Sequence, residues 1–83
     1  MTAQLYFFNL AGAVHDPDVE GVELASLGDA RVMAAKHAGE LLRDRPGVVW
    51  GGEELRVEVT DARQLLLFTL IVLGVDSPSS LRG

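Results

Sequence analysis

Residues 65–75, LLLFTLIVLGV, form an apolar run of 11 residues with no charge in it. A membrane-spanning helix needs roughly 20 such residues, so the run is too short to cross a bilayer. Its Phe, Thr, Ile and Val content favours a strand, and a strand without polar alternation is apolar on both faces. In a chain of 83 residues this is a severe constraint. A domain of this size buries only about 60–65% of the surface its unfolded form exposes. With no cysteine, it has neither a disulfide nor a thiolate zinc site to add stability. At 48% hydrophobic and 23% charged residues the composition is that of a folded domain. What covers the second face of the last strand is therefore the main question the sequence poses.

The other elements follow from their patterns. Residues 3–10, AQLYFFNL, read as a strand with Leu5 and Phe7 on one face and Tyr6, Phe8 and Leu10 on the other. Asn9 to Gly12 can turn the chain, and Ala13 to His15 can return as a short second strand. DPDVEG is a turn by its Pro, Asp and Gly, and Val22-Glu23-Leu24 a brief extended piece. Ser26 caps a helix, with Asp29 three residues on at the positive end of its dipole. Leu27, Ala30, Ala34, Ala38 and Leu41 make a narrow apolar stripe, mostly alanine, which lets the helix backbone approach a sheet closely. Pro46-Gly47 ends the helix. In the loop at 47–52, the single Trp50 reads first as a lid over the core, with an exposed contact as the alternative.

Leu55, Val57 and Val59 alternate with Glu54, Arg56, Glu58 and Thr60, the pattern of a half-buried strand. A four-residue turn, Asp61 to Gln64, then pairs Thr60 with Leu65. That register places Leu66, Phe68, Leu70 and Val72 on the core side, and Leu65, Leu67, Ile71 and Leu73 on the other. The expected fold is α+β, ββαββ: an antiparallel sheet with one helix packed on one face. Residues 1–75 form the single domain, and 76–83 a disordered C-terminal tail.

Charge is concentrated. Asp16, Asp18, Glu20, Glu23 and Asp29 lie in 16–29 without a Lys or Arg and account for the net charge of −5; the rest of the chain balances. The few basic residues are dispersed, which argues against nucleic-acid binding. The apolar start lacks the positive n-region of a secretory signal. The sequence thus predicts a cytoplasmic protein that binds no membrane.

No catalytic constellation is legible. Asp16, Asp18 and Glu20 followed by Gly21 open like a calcium loop, but Leu24 and Leu27 stand where its later ligands belong. His15 and His37 lack a second His at metal spacing, and neither a G-x-S-x-G elbow nor a P-loop occurs. No cofactor is expected. The acidic segment reads as a solvated turn that complements the helix dipole, or as a docking surface formed by Asp16, Asp18, Glu20 and Glu23 for a basic partner.

The strand LYFFNL, then DVEGVEL, the capped helix SLGDARVMAAKHAGELL, then LRVEVTD and an apolar last strand form a succession. Over roughly residues 4–74 it resembles a family of small bacterial proteins of unknown function, about 80 residues long. The most specific part is Asp18, Glu20, Gly21, Glu23 and Leu24, followed by Val57-Glu58-Val59 with Asp61. The chain departs from that pattern at Gln64, where glycine is missing, and at Gly28 in the helix start. The resemblance implies the fold and no activity.

These readings favour a non-catalytic protein-interaction or regulatory module. Its sheet would carry the helix on one face and a second copy on the other, through Leu65, Leu67, Ile71 and Leu73. Two alternatives stay open. One is an antitoxin-like protein whose acidic segment meets a small basic partner. The other is a metal-binding or minor enzymatic role using His15 and the acidic turn at 16–20.

Overall fold

The computed structural model describes residues 3–82. The aromatic start forms strand β1, Gln4–Gly12, and the VEL segment forms β2, Val22–Leu24. Helix α1 runs Leu27–Asp44, β3 Leu55–Thr60 and β4 Leu66–Val72. They make one antiparallel sheet in the order β2-β1-β3-β4 with the helix on one side, the expected α+β architecture. The second strand is the VEL segment and not 13–15. After Gly12, whose φ is +78°, residues 13–15 form no strand, and the chain meets β1 again at an isolated bridge between Leu10 and Asp16.

Alternation dictates the core. Tyr6 and Phe8 from β1 and Leu55, Val57 and Val59 from β3 point at the helix and are buried. Ala30, Ala34 and Ala38 meet them, each at most 3% exposed, so the alanine stripe does allow close packing. Each fully buried Leu or Val contributes about 1.5–3 kcal/mol. The Ser26 hydroxyl accepts the Asp29 N–H at 3.0 Å and starts the helix as its composition predicts.

Two expectations are corrected. Trp50 is not a lid: it is 60% exposed, while Val49 beside it enters the core. Val48–Trp50 form a 3-10 turn, in which neighbouring side chains point about 120° apart, so Val49 inside puts Trp50 outside. The indole lies across Gly74, where a Cβ would sit only 2.7 Å from the ring.

The second correction concerns the last hairpin. Val59 pairs with Phe68 but Thr60 with Leu66, so a bulge leaves Leu67 without a direct partner on β3. Below the bulge, Leu55 pairs with Val72 and Val57 with Leu70, two residues from the expected register. A two-residue displacement preserves which side chains share a face, so Phe68, Leu70 and Val72 remain on the core side. Across the bulge the assignment exchanges: Leu66 lies on the open face, 53% exposed, and Leu67 packs against the core. The loop is closed by Asp61, whose carboxylate accepts the N–H groups of Arg63 (2.8 Å) and Leu65 (3.0 Å). Gln64, where glycine was missing, has φ +65°. It is the one non-glycine in the left-handed region among the described residues. Beyond β4, Pro78–Arg82 form a 3-10 turn; of the 76–83 tail, residue 83 lies outside the described residues.

Candidate functional site

The acidic loop is built around Asp18. Because β2 is only three residues long, it pairs β1 at Gln4, Leu5 and Tyr6, leaving the next donors of that edge unpaired by strand. The loop supplies substitutes. Leu10 and Asp16 exchange backbone hydrogen bonds at 3.0 Å each. Asp18 Oδ2 accepts the Phe8 N–H (3.0 Å), and Oδ1 accepts those of Glu20 (3.0 Å) and Gly21 (3.1 Å). Burial alone would raise the Asp18 pKa. The three backbone donors, with His37 nearby, outweigh it and hold the carboxyl below its ordinary value. Asn9 completes the joint: its Oδ1 accepts the Asp18 N–H (2.9 Å), and its Nδ2 donates to the Glu58 carbonyl (3.1 Å) and the Thr60 hydroxyl (3.4 Å).

Of the predicted acidic docking residues, Asp18 is thus turned inward onto backbone, while Asp16, Glu20 and Glu23 are exposed. An open cavity of about 620 Å³ lies beside this joint, lined in part by Phe7, Val19, Thr60 and Gln64. His37 packs its ring 5.2 Å from that of Phe8, and His15 is exposed. Among the described residues no three His, Cys, Asp or Glu side chains cluster closely enough to hold a metal ion. Sequence reasoning missed Asn9 as a structural residue; its signal was a polar side chain interrupting the apolar LYFFNL strand.

The face of the sheet opposite the helix is of two kinds. Leu5 and Phe7 on β1, and Leu66 and Ile71 on β4, are apolar. Between them β3 carries a polar stripe. Arg56 donates through Nη1 to Glu54 Oε1 (2.9 Å) and through Nε to Glu58 Oε2 (3.2 Å). The Glu54 carboxyl is held below its ordinary pKa, first by its own backbone N–H and then by Arg56.

Exposed apolar side chains concentrate at β4: Leu65 62%, Leu66 53%, Ile71 56% and Leu73 62%. Of the four residues expected to form an interface, Leu65, Ile71 and Leu73 are exposed and Leu67 is partly buried against the core. Phe68, Leu70 and Val72 face the helix yet are only half-buried, whereas their partners on β3 are fully buried. The last strand is thus poorly covered on both sides.

This arrangement of sheet and helix coincides with the span of a known sequence family. DUF6894, a domain of unknown function, matches residues 5–73. The chain belongs to the DUF6894 family. The DUF6894 span reaches from β1 to one residue past β4, so it takes in the helix, the acidic loop and the apolar hairpin, and stops before the tail. No curated protein and no solved structure matches the chain. Among the described residues, no helix is long and apolar enough to cross a membrane.

Proposed function

We propose that this chain is a non-catalytic protein-interaction module that acts as a homodimer, with the side chains around β4 as its contact. The observation that supports this is the concentration of exposed Leu65, Leu66, Ile71 and Leu73 on one 83-residue chain. Contiguous apolar surface of this kind favours association, and the commonest partner in soluble assemblies is a second copy. The acidic loop is a weaker candidate for the contact, because Asp18, its central carboxylate, is engaged by backbone donors.

Static light scattering between about 10 and 100 µM, a range that brackets micromolar affinity, tests the reading. A mass of twice the chain is expected. Ile71→Glu, at an exposed position, should return the mass to that of one chain while the circular dichroism spectrum is kept. A monodisperse monomer of the wild type across the whole range would overturn the homodimer.

A further inference from the structure

Resting on that reading, the geometry points to a specific joint: two copies pair along the free edge of β4, antiparallel about Thr69, and make one continuous eight-stranded sheet. The alternative is to stack the two open faces. Stacking would bury the Glu54–Arg56–Glu58 stripe, which runs through the middle of that face, against its own copy. Three ion-paired groups would leave water and each would meet a copy of the same stripe, at a desolvation cost their pairing need not offset. The edge carries no such obstacle. No charge lies between Gln64 and Val75. β4 ends the sheet order, and among the described residues no backbone hydrogen bond from another segment reaches its outer side.

The sequence of the strand is also self-complementary. With Thr69 on a two-fold axis, Phe68 lies opposite Leu70 of the second copy, both on the helix side, and this regular pairing stops at the bulge, across which Leu66 and Leu67 exchange faces. Within that stretch apolar meets apolar, and the single polar residue, Thr69, meets itself. A C2 axis requires self-matching of this kind about its centre. The pairing also places the half-buried Phe68, Leu70 and Val72 of each copy beside those of the other on the helix side, adding the cover they lack.

The absence of cysteine makes the test clean, because a single introduced thiol can carry a spin label. Glu23, exposed on β2 at the far edge, is the site. In the edge-paired sheet the two β2 strands are separated by seven inter-strand spacings of about 4.8 Å, about 34 Å in all. Face-stacked sheets lie about 10 Å apart, which keeps the two Glu23 positions within about 20 Å. Pulsed electron resonance on spin-labelled Glu23→Cys should give the long distance. Thr69→Cys, at an exposed position, should cross-link two copies under mild oxidation. A dimeric mass with the short Glu23 distance would overturn the edge joint and leave the homodimer standing. A monomeric mass would overturn both.

Discussion

The two edges of the sheet are finished in opposite ways. At the β1 edge, three residues of β2 are followed by a loop that supplies the missing partners. These are the Leu10–Asp16 bridge and the Asp18 carboxylate on the Phe8 N–H. The residues that do this are polar, acidic and rich in turn formers, and they add charge at an edge that would otherwise template aggregation. The β4 edge has seven residues, none of them charged and none of them proline. Natural sheets protect such edges by charge, bulge, proline or cover. Here a bulge lies at the hairpin end, and among the described residues no strand pairs with the remainder of the edge. The contrast is between an edge sealed by polar loop groups and an edge left without cover, and the second is where the proposed dimer would join.

The largest expected effect is on the sealed edge. Asp18→Ala removes the acceptor of three backbone N–H groups, and should cost about 3 kcal/mol in urea unfolding, since bonds to a charged acceptor are the stronger kind. If it costs under about 0.5 kcal/mol, within the range of ordinary surface substitutions, the loop is not a seal. The same carboxylate gives the fold a pH dependence. Its pKa is lowered in the folded state, so its contribution is fully present above the ordinary value of 3.8 and is lost as pH falls through the lower folded value. Asp18→Asn should therefore flatten the acid limb of stability below that pH, while leaving the neutral-to-alkaline slope unchanged.

Next in size is Gly21→Ala, at φ +75° and with Leu5 and Phe7 atoms 3.1 Å from the added Cβ. It should cost about 1–2 kcal/mol, the usual penalty of the left-handed region for an L-residue. An unchanged urea midpoint would show that the loop can relax. Ser26→Ala, which touches neither edge, should cost about 1 kcal/mol through loss of the helix cap and calibrates the others. Gln64→Gly, next to the bare edge, should stabilise by roughly 0.5 kcal/mol, the strain relieved less the entropy that glycine adds. The smallest effect on the subunit belongs to the bare edge itself. Ile71→Glu should change subunit stability by no more than about 0.5 kcal/mol, because the side chain is already exposed. A large loss of stability in a monomeric background would mean that β4 is needed for the fold rather than for contact.

The parts of the fold that depend on local pattern were legible in the sequence. The Ser26 cap, the Ala30–Ala34–Ala38 stripe and the Leu55–Val57–Val59 alternation each leave a signal within a few residues, and each stands where its spacing puts it. What depends on a single residue of register was not. The exchange of Leu66 and Leu67 arises from a bulge that no turn composition at Asp61–Gln64 announces, although the missing glycine at Gln64 marked the place where the backbone turns left-handed. Val49 and Trp50 stand side by side in a short 3-10 turn, and composition alone does not say which of two apolar neighbours enters the core. The acidic loop was legible as a turn but not as a substitute strand, because the Asp18–Phe8 bond joins residues ten positions apart. The candidate contact was legible as an uncharged run. The proposal of an edge rather than a face rests on the strand order and on the ion pairs on β3.

The most direct test of the bare edge is hydrogen exchange of the β4 amides as a function of protein concentration. In a lone copy, the amides of Leu66–Val72 that face away from β3 have no partner and should exchange quickly. From about 1 to 100 µM, across the micromolar range of affinity, the account predicts that these amides become protected while the acidic loop is unchanged. If their exchange is the same at both ends of the range, no second strand joins this edge, and the comparison between the two edges loses its meaning.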